Sequence, residues 1–247
     1  MTTVILLRHG RTTANTSGVL AGWTPGVQLD ETGAAQVRAV GERLAKVPLA
    51  AVVSSPLERC RQTADALAEG RDLEVQSDDR LGEARYGDWT GRTLKELVKE
   101  PLWKVVQQHP SAAVFPGPEG EGLAQTQARA VAAVREWNAK LGPDAVWLAC
   151  SHGDVIKAIL ADALGLHLDQ FQRIVVDPAS VSVVTYTETR PFVVRVNDTG
   201  GDVSGLIPPP KHRRRKASSD AAVGGGIRPE TSPPVSFSRT TNGRVSV

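Results

Sequence analysis

Hydrophobic and polar positions over the first two hundred residues alternate between strand-like and helix-like runs. Thr3 to Leu7 is apolar and β-branched, the composition of a buried strand. From Thr32 to Leu44 the apolar positions recur at helical spacing, with Thr32 as the expected N-cap. Ala50–Ser54 reads as a second strand, and Pro56 then sits where proline opens a helix, here one running to about Glu69. Leu94–Gln108 reads as one amphipathic helix ending near Pro110, and Gln125–Leu141 as another. Ala145–Cys150 is a third buried strand, followed by a helix from Asp154 to Leu164 and a β-rich stretch from Ser180 to Val196. Strands alternating with helices predict an α/β fold, a three-layer sandwich whose mostly parallel central sheet carries helices on both faces.

The pattern fails after about residue 204. Pro208-Pro209-Pro210, a basic run from Lys211 to Lys216, Gly224-Gly225-Gly226 and a Ser/Thr/Pro-rich end leave little to bury. The reading is therefore one domain over 1–204 and a disordered tail over 205–247. Charge divides the same way. The tail holds eight basic and two acidic residues, +6, which leaves −4 for residues 1–204 out of a net +2. The basic run is a candidate contact for nucleic acid or acidic lipid, with a solvated tail as the plainer expectation.

Composition narrows the class. Apolar residues at 40% and charged residues at 23% match a soluble globular protein. No apolar run approaches the roughly 20 residues of a membrane span, and the N-terminus shows neither a basic region nor a cleavage site for export. A cytoplasmic protein is expected. The two cysteines, Cys60 and Cys150, lie inside regular elements and read as small buried hydrophobes. No CxxC or HExxH spacing points to zinc, and neither a metal nor a cofactor is expected.

Three segments carry chemistry, each at or just beyond the C-terminal end of a predicted strand, where an open α/β sheet presents its crevice. They are Arg8-His9-Gly10-Arg11-Thr12-Thr13-Ala14-Asn15, Ser54-Ser55-Pro56-Leu57-Glu58-Arg59 with the following Cys60 to Ala64, and Ser151-His152-Gly153-Asp154. Neutral imidazole is a competent nucleophile near pH 7, but the charge on phosphoryl oxygens repels it. Arginine answers that repulsion, because its always-charged fork binds phosphate through two N–H groups. Phosphoryl transfer is mostly positioning and charge stabilisation, so His9, Arg8, Arg59 and His152 form a sufficient metal-free set.

These segments resemble the histidine phosphatase superfamily, also called the phosphoglycerate mutase-like family. Arg8-His9-Gly10 matches its RHG hallmark, Ser55-Pro56-x-x-Arg59-x-x-Gln62-Thr63-Ala64 its second motif and Ser151-His152-Gly153 its third. Leu81 to Gly91 resembles the stretch bearing the proton donor. The likeness covers roughly residues 3–190. It implies that His9 becomes phosphohistidine, that Arg8, Arg59, His152 and Asn15 bind the phosphoryl group, and that Glu83 protonates the leaving alkoxide. Ala21, Gly22 and Gly153 are candidates for the substrate rim. Glu58, Asp88 and Glu121 are rival acids. Arg11 and Arg61 read as surface or salt-bridged arginines as readily as ligand contacts. Trp23, Trp89 and Trp103 are candidates for the entrance or for core packing.

The resemblance implies a phosphatase acting on a small phosphorylated metabolite. The alternatives are a phosphomutase and an inactive phospholigand-binding module. Mutases of the family guard their phosphohistidine with an inserted segment bearing paired arginines and a proline run. Leu94–Pro116 has neither. A second departure is Gly120-Glu121-Gly122, where the family commonly has Gly-Glu-Ser.

Overall fold

The structure, a computed structural model, describes residues 1–201 and Gly224. The sheet has six strands: β1 (Thr2–Arg8), β2 (Ala51–Ser54), β3 (Val75–Ser77), β4 (Val146–Ser151), β5 (Val181–Tyr186) and β6 (Pro191–Asp198). Their order is β3-β2-β4-β1-β5-β6. The first four strands run parallel, and β5 and β6 are added antiparallel on the β1 side. The expected mostly parallel sheet is therefore present. The β-rich stretch after Ser180 closes it as an antiparallel hairpin.

Alternation along the strands explains the layers. Val4 and Leu6 join Ala51, Val53, Trp147 and Ala149 in one core, while Ile5, Leu7, Val52, Leu148 and Cys150 face a second. A sheet apolar on both faces must be covered on both. Helices α2 (Glu31–Leu44) and α3 (Glu58–Ala68) cover the second core through Val37, Val40, Cys60, Ala64 and Leu67. Helices α6 (Leu123–Leu141) and α7 (Gly153–Ala163) cover the first through Ala130, Val134, Val155 and Ile159. Both cysteines are free and buried. Among the described residues no helix is long and apolar enough to cross a membrane.

Several boundaries differ from the sequence reading. The N-cap of α2 is Asp30, not Thr32: its Oδ1 accepts from Gly33 N at 2.7 Å while Oδ2 holds Arg11 Nε at 2.8 Å. Pro56 lies one residue ahead of the α3 N-cap, Leu57. Leu94–Gln108 is two helices, α4 (Leu94–Leu97) and α5 (Pro101–Gln108), because Pro101 has no N–H to continue the first and takes the N1 position of the second. Helix α1 (Thr13–Ser17) and strand β3 had no periodic signal, being five and three residues long. The tail assigned to 205–247 lies outside the described residues apart from Gly224.

Candidate active site

Parallel pairing brings the three motifs to one edge. Arg8 is in register with Ser151, and Ser54 with Cys150, so β1, β2 and β4 end side by side. The chain beyond each end is pinned by backbone bonds from His9 N to Ser151 O at 3.0 Å and from Ser55 N to Cys150 O at 2.9 Å. Gly10 then has to be glycine. A Cβ there would stand 2.7 Å from Gly33 O and 2.9 Å from a methyl of Val37, where α2 packs against the turn.

His9 is buried, and its ring Nδ1 lies 2.7 Å from its neighbour's carbonyl, Gly10 O. A carbonyl only accepts, so Nδ1 carries the proton and Nε2 keeps its lone pair. Burial, then Arg59 and Arg8, lower the His9 pKa well below the ordinary 6.5 and hold the ring neutral. His152 lies beside it, with ring centroids 5.2 Å apart in an edge arrangement. Its Nε2 is 2.8 Å from Ser55 Oγ and its Nδ1 3.2 Å from Arg59 Nη2. A guanidinium only donates, so Nδ1 accepts from Arg59 and the ring's proton sits on Nε2, which donates to Ser55 Oγ. Burial first, then Arg59, His9 and Arg8, lower the His152 pKa too.

The two arginines are the unusual feature. Arg8 is wholly buried, with Nη1 donating to Val176 O at 2.8 Å, yet its Nε and Nη2 have no partner. Arg59 is also buried; its Nη2 donates to Gly22 O at 2.9 Å, and its Nη1 has no partner. Buried donors without partners are rare and call for an explanation. Here they belong to the two cations that flank a neutral histidine.

Glu83 follows the short 3-10 turn Asp79–Leu81 and is the buried acid of the group. Its Oε1 accepts from Ala84 N at 3.0 Å, and its Oε2 lies 3.8 Å from His152 Nδ1. Burial, reinforced by the charge of Asp154, raises its pKa to about 7 against the pull of Arg59 and Arg8. The rival acids are engaged elsewhere. Glu58 accepts from Gly26 N, Asp88 is exposed, and Glu121 is paired with Arg129 at 2.6 Å. Arg129 in turn donates to Glu83 O at 3.0 Å, so the Glu121–Arg129 pair holds the acid's backbone. With Glu121 engaged in this way, the Gly122 departure leaves that anchor intact.

The other candidates divide. Gly22 joins the site through its carbonyl, and Ala21 precedes it on the same turn, where Ala21 O accepts from Thr24 N. Gly153 opens α7 directly after His152. Asn15 is committed in part: its Oδ1 caps α1 by accepting from Thr12 N and Thr12 Oγ1, leaving only its amide nitrogen to face a ligand. Arg11 pairs with Asp30 and Arg61 with Asp65. Trp89 and Trp103 stack in the core, whereas Trp23 borders the site, its Nε1 donating to Glu83 O at 2.6 Å. Sequence reasoning assigned no role to Ser55, Tyr86, Arg129 or Asp154. Ser55 and Asp154 lay within the motifs already singled out, but Arg129 sits in α6 with no motif around it.

Known proteins resemble this chain in sequence and fold. The chain is 30% identical over 207 residues to phosphoserine phosphatase 1 of Hydrogenobacter thermophilus, covering 81% of this chain and 93% of that protein. It is 29% identical over 184 residues to 2,3-bisphosphoglycerate-dependent phosphoglycerate mutase 2 of Gloeobacter violaceus, covering 72% and 82% of the two. Among solved structures it superposes on YhfR of Bacillus stearothermophilus with a TM-score of 0.74 at 28% identity, over 80% of this chain and 98% of the other. The family model of the histidine phosphatase superfamily (branch 1) matches residues 4–199, which include all three strand-end motifs and Glu83. With that match reaching all six strands and the site at their ends, the chain belongs to the histidine phosphatase superfamily, branch 1.

Proposed function

We propose that this protein hydrolyses small phosphate monoesters through a phosphohistidine on His9. The observation that carries the reading is the set of three unpartnered guanidinium nitrogens around a neutral imidazole: Arg8 Nε, Arg8 Nη2 and Arg59 Nη1. Phosphoryl oxygens supply the acceptors that the fold withholds, and binding them relieves the cost of burying those donors. In the first step a bond forms from His9 Nε2 to phosphorus as the ester P–O bond breaks, and the leaving alkoxide takes the proton of Glu83. In the second, water attacks phosphorus and gives its proton to Glu83. The N–P bond then breaks, releasing phosphate and restoring the lone pair of His9. Arg8, Arg59 and His152 hold the phosphoryl oxygens throughout, with the Asn15 amide as a further donor. A carboxyl raised to about 7 suits both halves of this cycle near neutral pH.

Hydrolysis is preferred over mutase chemistry because the segment over α4 and α5 is short and carries no arginine pair to shield a phosphoenzyme from water. Residues 1–204 are taken as the catalytic domain, and the family match, ending at 199, fits that boundary. Two free buried thiols fit a reducing compartment such as the cytoplasm. The test is phosphate release from a panel of sugar phosphates, phosphoglycerates, phosphoserine and nucleotides, with EDTA present, for wild type and His9→Ala. Release that is lost in the variant is expected. No release from wild type on any ester, with phosphate passing instead between glycerates, would replace hydrolase by mutase.

A further inference from the structure

Behind Glu83 lies a buried polar chain that the reaction above does not use. Tyr86 and Asp154 are each 1% exposed, and the Tyr86 hydroxyl donates to Asp154 Oδ2 at 3.1 Å. Asp154 Oδ1 accepts from Lys157 Nζ at 3.1 Å, and Oδ2 also accepts from Gly224 N at 2.8 Å. Lys157 Nζ donates on to Gln172 Oε1 at 2.8 Å. The Tyr86 hydroxyl faces Glu83 as well: burial, Asp154 and then Glu83 together hold the phenol's pKa well above 10.

A phenol has one proton to donate, and here two carboxylates flank it. Asp154 accepts from three donors, the pattern of an ionised carboxylate, and so takes that proton in a hydrogen bond. The phenol oxygen then has only lone pairs to offer Glu83, and these are satisfied by a protonated carboxyl.

We propose that Asp154, braced by Lys157, is a positioning residue for the proton of Glu83, acting through the Tyr86 hydroxyl. In the acid state Glu83 donates to Tyr86, which donates to Asp154. Once the alkoxide has taken the proton, the Tyr86 hydroxyl turns its hydrogen to the Glu83 carboxylate, and Lys157 continues to neutralise Asp154. The relay stabilises both forms that Glu83 must adopt. The opposing charges that face Glu83 are Arg8 from β1 and Arg59 from α3, with His152 Nδ1 at 3.8 Å. The proposal rests on the reading of Glu83 as the proton donor.

Two charge-removing substitutions of opposite sign test it. Asp154→Asn removes the negative charge beside Glu83, and Lys157→Gln leaves that charge unbalanced. With the alkyl ester that the panel selects, the alkaline limb of kcat/KM reports loss of the Glu83 proton. A one-unit downward move of that limb makes the ratio of kcat/KM at pH 8 to that at pH 5 fall about tenfold. Asp154→Asn is expected to show that fall, and Lys157→Gln a rise in the same ratio. The carboxyl carbon of Glu83, followed by NMR in 13C-glutamate-labelled enzyme and assigned with Glu83→Gln, is expected to move its midpoint down in Asp154→Asn and up in Lys157→Gln. That second readout needs no turnover, so a failure of the phosphatase reading leaves the relay still measurable. Midpoints unmoved, or moved the same way by both substitutions, would overturn the relay. If Asp154→Asn does not fold, an unmoved or lowered midpoint in Lys157→Gln does so alone.

Discussion

Arg8 gives the sharpest prediction, because stability and activity should move in opposite directions. Its guanidinium is wholly buried with two donors unpartnered, and burial lowers its pKa despite the attraction of Glu83, Asp154 and Asp177. Keeping that cation in the folded protein therefore costs free energy. Arg8→Met removes the cation and fills a similar volume. The gain is two unsatisfied donors at about 1–3 kcal/mol each, and the loss is the bond to Val176 O, whose open acceptor costs about the same as one of them. The net is a stabilisation of about 1–3 kcal/mol, which for a domain of this size raises Tm by roughly 6 °C at the middle of that range. Function goes the other way. Two charge-assisted bonds to the phosphoryl group at about 1.5–3 kcal/mol each are worth roughly 10²–10⁴ in kcat/KM. Differential scanning calorimetry with a phosphate-release assay reads both quantities. Inorganic phosphate should raise Tm in wild type and fail to do so in Arg8→Met. A variant that loses more than about 1 kcal/mol of stability would refute the reasoning, since the buried cation would then be contributing to the fold. So would one that keeps wild-type kcat/KM.

Two further expectations concern the imidazoles. His9 and His152 are both held well below 6.5, so at lower pH the unfolded chain binds two protons that the fold excludes. Glu83, raised from 4.5 to about 7, keeps one proton that the unfolded chain has lost between those values. The balance is close to one proton near pH 5.5, where the unfolded imidazoles are almost fully charged, so stability there falls by about 1.4 kcal/mol per unit as pH drops, and about twice as steeply in Glu83→Gln. Urea titration around that pH checks this, and equal slopes in the two proteins would contradict it. Ser55→Ala leaves His152 Nε2 only the Cys60 Sγ contact at 3.4 Å and is expected to lower kcat about tenfold, measured on the preferred ester, and stability by about 1 kcal/mol. An unchanged kcat would mean that Arg59 and Cys60 suffice to orient the ring.

What was legible in the chain was whatever local pattern controls. Strand ends were readable because buried parallel strands are continuous apolar runs, and a motif directly after each had to meet the others once the strands lay side by side. His9, Arg59 and His152 converge for that reason. The relay behind Glu83 was not legible. Asp154 and Lys157 share one face of α7 three residues apart, but Tyr86 comes from a distant loop, and a tyrosine, an aspartate or a lysine carries no local sign of burial. The Glu121–Arg129 anchor was hidden in the same way. The misread helix at Leu94–Gln108 had a sign in plain view, since Pro101 breaks the backbone ladder whatever the apolar spacing says. The α2 cap was missed because Asp30 and Thr32 are both competent caps, and the ion pair to Arg11 that favours Asp30 depends on the tertiary fold.

The position of β1 in the sheet has a consequence for how the chain is made. This first strand pairs only with β4 and β5, at residues 146–151 and 181–186, so of the six strands the one made first waits longest for partners. Until then Val4 to Leu7 is an apolar strand with both edges open, the kind of segment that pairs with another chain instead. Sheets closed by such distant contacts fold slowly. His9 is thus carried beside the element most exposed to misassembly during synthesis, and slower, cooler expression should raise the soluble yield before any residue of the site is changed.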